Sequence, residues 1–460
     1  MRSNGFLRYH GMSQRLFGVL MALAAILVVA GCGASTVTPQ VDSPVEQAEP
    51  EPTPDPTPEP VPAETHRSSM SLRADVGFDV SSLSGEAAVW HERVMETIAS
   101  PGRDLDPLRV AGLDDLYQYG RTLHVYVQSV MIAFRVTGDL ALLDHVDAIA
   151  EAMRTKLRDG WRGTKDRTDG TRDGYLNWVW RYSSGDQFVG KDTHMMDEMK
   201  THAMIAMIAV ALDTNRDLRS PDGRDYGAHA DFWADYLVNH FEAKWRERHD
   251  KPRGFPFMTK GGIHERQSWL KWHYYMGLLT GNVRYTAEAK RMAEEWWAEM
   301  LTVDTPSGTA YVWHREDFLM PTVYAAGVVA DVVELHLEGF DRWASAEEVR
   351  RFARTFTEFV IDTDDPDTNG LAADIGGEVA RAGLRSDAEN WRRLTTHGFL
   401  RSGFPLLAAW DPSGKIADFT EVAHEQRGEN VGMMLQTGAL VEGILTTTMY
   451  GSTAASQASP

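Results

Sequence analysis

Apolar residues along this chain recur with the 3.6-residue period of a helix almost throughout, and few stretches alternate cleanly as a strand would. Two kinds of helical pattern follow one another. In the first, apolar residues occupy nearly every face, as in "TLHVYVQSVMIAFRV" (122–136), "SWLKWHYYMGLL" (268–279) and "DFLMPTVYAAGVVADVVELHL" (317–337). A helix apolar on every side is buried on every side. Pro321 must then fall near a first turn, because deeper in a helix it would remove a hydrogen bond and clash with the preceding turn. In the second kind the apolar residues form one stripe. Val349, Phe352, Ala353, Phe356 and Val360 make such a stripe, and so do Ala289, Met292, Ala293 and Trp296.

The two kinds alternate, and the joints between them recur. Thr137-Gly138-Asp139 and Thr280-Gly281-Asn282 each offer a glycine to end one helix in a left-handed cap and a polar residue to cap the next. "LDTNRDL" (212–218) reads as a longer version of the same joint. The pattern predicts inner helices near 122–136, 195–212, 268–280, 317–337, 395–409 and 430–449. Amphipathic partners are predicted near 140–157, 227–246, 285–301 and 345–361, after a first helix near 84–99. Repeated helix pairs imply a stacked or closed array, which can exceed the usual size of one core without splitting.

The ends of the chain differ in composition. Arg2, Arg8 and Arg15 precede the apolar run "LFGVLMALAAILVVAG", which stops at Cys32, the only cysteine. Positive charge followed by a short apolar run and small residues is a secretory signal. Val29-Ala30-Gly31-Cys32 resembles the bacterial lipobox, which implies cleavage before Cys32 and lipidation of its thiol. Gly33, where the family's inner-membrane retention rule has Asp, implies sorting to the outer membrane, facing the periplasm or the cell surface. Residues 34–66 are rich in Pro and acids and lack aromatics. Such a segment cannot bury enough apolar surface to fold, and its prolines keep it extended. The expected organisation is a signal peptide at 1–31, a lipidated tether at 32–68, a helical domain at 69–451 and a loose tail at 452–460. A formal net charge of −20 argues against nucleic acid as a partner.

The alternating helices, the TGD and TGN joints and the aromatic-rich helix starts resemble the (α/α) toroid of carbohydrate-active enzymes. That group holds glycoside hydrolases, sugar epimerases and lyases of the alginate, glucuronan and heparinase kinds. The resemblance implies an all-α fold, an (α/α)6 or (α/α)7 toroid of helical hairpins. It covers most of 84–450, and it is one of architecture rather than of a signature motif. It also implies a cleft at the rim, where the inner helices begin.

Those predicted starts carry a recurring set of residues. They are Arg121 and His124; His194, Asp197, Glu198 and His202; His264, Glu265 and Arg266; Tyr311, Trp313, His314, Arg315, Glu316 and Asp317; His397 and Arg401; and His424, Arg427 and Asn430. Helix N-termini favour anions through their unpaired N–H groups and the dipole. With Arg and His added, a ring of them would suit a sugar carboxylate. Trp272 and Trp313 offer faces for stacking on sugar rings. His194, Glu198 and His202 share one helix face, but the two histidines stand about 12 Å apart along it. They read as a hydrogen-bonded face rather than an ion site, and no metal or cofactor is expected.

β-Elimination on a uronate needs a group to neutralise the carboxylate, a base for the proton at C5 and a proton for the leaving oxygen. Tyr274 or Tyr275 is the expected acid/base, with His202 and His314 assisting. Asn177, Arg181, His264, Arg266, Arg315, His397 and Arg401 are expected to bind the substrate, together with Trp272 and Trp313. The expected function is therefore a monomeric polysaccharide lyase acting on an acidic glycan. Two alternatives stay open. A glycoside hydrolase would pair Asp197 or Glu198 with Glu316, Asp317 or Asp374. A glycan-binding surface lipoprotein would keep the aromatics without an acid/base pair.

Overall fold

The computed structural model describes residues 72–83, 85–100, 106–161, 172–181, 192, 194–220, 222–247, 262–315, 318–340, 343–361, 375, 403–425, 448, 450 and 451. Cys32, the tether, His397 and Arg401 lie outside the described residues, and so do Glu316, Asp317 and Asp374. Helix dominates. The first α-helices among the described residues are α1 (Gly85–Ala99) and the short α2 (Pro107–Ala111). A turn at Leu116–Gln118 and a π-helical turn at Tyr119–Leu123 lead into α3 (His124–Thr137), which is followed by α4 (Leu140–Arg154). A small hairpin, β1 (Arg158–Trp161) with β2 (Arg172–Asn177), precedes α5 (Met195–Thr214) and α6 (Tyr226–Tyr236). Then come α7 (Ile263–Thr280) and α8 (Val283–Ala298). The hairpin of β3 (Leu301–Thr305) with β4 (Gly308–Val312) and the two-residue pair β5 (His314–Arg315) with β6 (Phe318–Leu319) separate α8 from α9 (Thr322–Leu337). Farther along the described residues lie α10 (Ala346–Thr355) and α11 (Lys415–Glu425).

Among the described residues the expected alternation of fully buried and one-sided helices holds. α5 and α7 are buried along nearly their whole length, whereas α8 and α10 bury one stripe. α7 packs along both α5 and α8, α5 also meets α3 and α6, and α9 meets α7 and α3. The interior is rich in tryptophan. Trp269 and Trp272 stack with centroids 4.5 Å apart, and Phe241 packs edge-on against both. Each fully buried side chain of this size contributes roughly 1.5–3 kcal/mol relative to exposure. No helix among the described residues is long and apolar enough to cross a membrane.

Both short joints form as expected. Gly138 (φ 67°) and Gly281 (φ 66°) are left-handed and return their N–H groups to Phe134 and Gly277. Asp139 Oδ1 then accepts from Ala141 N, and Asn282 Oδ1 from Arg284 N. The joint at 212–218 works differently. Asn215 ends α5 without a left-handed residue, and its side-chain amide accepts from Ala74 N and donates to Leu72 O, which ties residues 72–74 to the end of α5. The fourth inner helix begins later than expected. Phe318 and Leu319 form β6, and Pro321 stands just ahead of α9 in an extended conformation.

Candidate functional site

The beginnings of α3, α5, α7 and α9 come together, and a close backbone approach makes this possible. A Cβ on Gly120 would lie 2.4 Å from Asp197 Cα, so the turn before α3 can press onto α5 only with glycine there. The next residue, Arg121, forms an ion pair from Nε to Asp197 Oδ1 at 2.6 Å. The other carboxylate oxygen accepts from Trp180 Nε1 (2.8 Å) and lies 3.0 Å from His194 Nδ1. The Asp197 carboxyl is fully buried. Burial alone would raise its pKa, but the Arg121 charge and the contacts to His194 and Trp180 hold it below the usual carboxylate range.

Aromatic rings frame this pair. Trp180 stacks on His194 with centroids 4.9 Å apart and planes 10° apart, and Tyr117 meets Trp180 edge-on. The Arg121 guanidinium lies 5.8 Å from the centroid of Tyr117. Arg121 also interacts electrostatically with Tyr324 at the start of α9, and His264 at the start of α7 packs against Tyr324 at 5.0 Å. Trp180 has no helix of its own to hold it. The strand-like segment after β2 is stitched to the turn before α3 by Leu116 N to Val179 O and by Arg181 N to Asp115 Oδ1. Arg121 keeps 24% of its side chain exposed and His194 keeps 17%, while Asp197 keeps none. The arrangement therefore leaves a cation and an imidazole partly exposed beside two half-buried tyrosines, braced by a buried carboxylate.

Several residues expected at the rim are placed elsewhere. His202 is fully buried: its Nε2 lies 2.8 Å from Tyr236 Oη, its Nδ1 lies 2.7 Å from Glu198 O, and its ring stacks on Phe241. Burial holds its pKa well below the usual histidine value. Asn177 is its neighbour in the core, where it donates to Glu198 Oε1, and Glu198 in turn pairs with the buried Lys244. Tyr275 is also closed off. It donates to Glu334 Oε1 (2.5 Å) and accepts from Arg135 Nη2 (2.6 Å). Its neighbour Tyr274 packs against Phe340 and Tyr275 and is 9% exposed. Trp272 and Trp313 have no exposed surface, so neither offers a face to a sugar. For His202, Tyr274, Tyr275 and Trp272 the correction has one cause, whereas Asn177 ends β2 and Trp313 follows β4. On a helix apolar all round, the residues after the first turn point into the packed interior, whatever their chemistry.

His264 does meet another helix start, through its ring contact with Tyr324. Arg266 instead pairs with Glu299 at the end of α8. Arg181 is an exposed residue bound to Asp114, on the outer side of Trp180. His314 is half-buried in β5, a strand the sequence pattern did not predict, and Arg315 follows it there.

A second polar cluster was not foreseen. Lys271 Nζ donates to Asp331 Oδ1 (2.7 Å) and Glu334 Oε2 (3.0 Å), and Gln128 Nε2 donates to the same two oxygens at 2.6 Å each. Arg135, Glu338 and Tyr275 extend it. The signal was present as lone charges inside apolar helices. Tyr324 and Tyr117 were equally unremarked, because nothing local sets them apart from core tyrosines. Comparison of the chain with protein-family models, with curated proteins and with solved structures finds no match.

Proposed function

We propose that the chain is a polysaccharide lyase for a uronate-containing glycan, with its site at the convergent helix starts rather than at Tyr275 and His202. The observation that carries this reading is the Arg121–Asp197 pair. A guanidinium fixed from behind through Nε keeps its two terminal amino groups for a bidentate carboxylate. Neutralising the substrate carboxylate makes the C5 proton easier to remove. In this reading Tyr324 or His194 takes that proton. The electron pair forms the C4–C5 double bond, the C4–O bond breaks, and the leaving oxygen takes a proton from the second of these groups or from Tyr117. His264 orients Tyr324.

The helical hairpins are read as a toroid of six or seven pairs. The alternation of inner and outer helices and the meeting of four inner-helix starts among the described residues support that arrangement. Residues 1–68 are read with it as a lipoprotein signal and tether, holding the enzyme at the outer membrane near its polymer. The test is to incubate the full-length protein with alginate, glucuronan, heparin-type and pectin-type polymers and follow the ultraviolet absorbance of the unsaturated product. A rise that Tyr324→Phe and Arg121→Ala remove supports the reading. Binding without product on any of these polymers would leave a glycan-binding lipoprotein.

One observation favours a hydrolase as the second reading. Burial pushes the Asp115 carboxyl above its usual pKa, the nearby Asp197 charge adds to this, and Asp197 itself is held down. Two carboxyls driven apart in this way suit an acid and a base. New reducing ends without ultraviolet absorbance, lost in Asp115→Asn, would establish it.

A further inference from the structure

On the outer layer, away from the rim, Asp147 and Glu151 stand four residues apart on α4 and face His229 on α6. One ligand atom from each of the three lies within 4.8 Å of the other two. His229 Nδ1 is 2.9 Å from Asp147 Oδ1 and its Nε2 is 3.7 Å from Glu151 Oε2. Asp147 is fully buried, and Glu151 Oε1 is buried with no hydrogen-bond partner in the structure. A buried carboxylate oxygen without a donor is costly, so an unpaired one beside an imidazole and a second carboxylate needs an explanation.

We propose that Asp147, Glu151 and His229 form a divalent transition-metal site, of which zinc is the first to test, joining α4 to α6. Imidazole with carboxylates is a donor set for zinc or manganese. Ligand atoms about 2.1 Å from an ion stand roughly 3.4 Å from each other in a tetrahedron, so three atoms that lie within 4.8 Å of one another must draw together by up to about 1.4 Å to share one ion. Two arginines share these carboxylates. Arg224 Nη1 lies 3.4 Å from Asp147 Oδ2, and Arg154 Nη2 lies 2.5 Å from Glu151 Oε2. Both take the second oxygen, leaving Asp147 Oδ1, Glu151 Oε1 and a ring nitrogen of His229 for the ion. Water would complete the shell. The arginines lower the affinity without blocking the ligands.

The test is calorimetric titration of the chelator-treated full-length protein with zinc chloride, together with its thermal unfolding with and without zinc. The expected result is one saturable site and a higher unfolding temperature with zinc. Loss of a ligand should cost more than the 10–100-fold typical of an outer-shell contact, so His229→Ala and Glu151→Gln should each weaken binding by about 100-fold or more. Glu151→Gln is nearly isosteric at a partly exposed position and keeps the test valid if His229→Ala does not fold. Arg154→Ala removes a competing cation and should tighten binding. No saturable signal in the wild type, unchanged affinity in Glu151→Gln, or weaker binding in Arg154→Ala would each overturn the proposal.

Discussion

The inner helices hold two charged clusters that differ mainly in access. At the helix starts, Arg121 pairs with a buried Asp197 yet keeps part of its own surface in solvent. Farther along the same helices, Lys271 pairs with Asp331 and Glu334, and 5% or less of the Lys271 and Glu334 side chains is exposed. In the first cluster, on the proposed reading, one partner is fixed so that the other can bind substrate. In the second, every charge is used up within the protein. Burying an ion pair gains little net stability, but removing one partner leaves an uncompensated charge inside. Substitution should therefore damage folding in the buried cluster and turnover at the rim.

The sharpest way to break this contrast is Lys271→Met. Two carboxylates would be left with Gln128 alone between them, apart from the Arg135 and Tyr275 contacts of Glu334. The expected cost is about 3–5 kcal/mol of unfolding free energy, measured by urea denaturation. A loss below about 1 kcal/mol would mean that the cluster is hydrated and that the contrast is false.

Arg121→Ala should act on the other quantity. If the guanidinium neutralises a substrate carboxylate, turnover should fall about 10²–10³-fold, the usual range for one electrostatic contact to developing charge. Asp197 would still keep Trp180 and His194, so stability should fall less than in Lys271→Met. Gly120→Ala tests the same region through the backbone. Its methyl group would collide with Asp197 Cα, and both folding and turnover should suffer.

These residues show how far the sequence could be read. Among the described residues most helix positions, the alternation of fully buried and one-sided helices and both short joints were legible, because each rests on local pattern and capping chemistry; the expected helix at 430–449 and the start of that at 395–409 lie outside the described residues. The convergence of helix starts was legible too, and it drew attention to Arg121, His194, Asp197 and His264. The orientation of side chains past those starts was not. Tyr275, His202 and Trp272 lie on helices apolar on all sides, where periodicity carries no information about which face meets water. The β3–β4 hairpin was missed for a different reason. "LTVDTPSGTAYV" (301–312) has β-branched residues around a Pro-Ser-Gly turn, but it sits between two strong helical patterns. Its pairing is fixed by α10, onto which it packs.

Buried histidines sharpen the contrast through pH. Burial lowers the pKa of His145 and His273 from 6.5 to about 4 and holds His202 well below its usual value. These groups stay neutral in the folded state while the unfolded chain takes up protons below about pH 6.5. The stability they confer is therefore complete above that pH and is lost as pH falls towards 4. Each contributes a slope of up to about 1.4 kcal/mol per pH unit in that window. Unfolding measured between pH 7 and 4.5 should show the loss, and His273→Gln should flatten it. A pH-independent midpoint would mean that water reaches these rings.

The smallest expected effects repeat the contrast at the two joints, which the sequence presents as equivalents. Asn282 caps α8 at a partly exposed site, and its Oδ1 accepts from Arg284 N. Asn282→Ala should cost about 1 kcal/mol, the usual value of an N-cap. Asp139 also caps its helix through Oδ1, but it is 7% exposed and its Oδ2 lies 3.0 Å from the buried His91 Nε2. Asp139→Ala should lose the cap and leave His91 without that partner, which adds about 1–3 kcal/mol. Asp139→Asn keeps the cap oxygen and should recover most of the capping share but not the contact to His91. Equal costs for the two alanine variants would mean that burial adds nothing at a joint, and the same doubt would then extend to the larger contrast between Lys271 and Arg121.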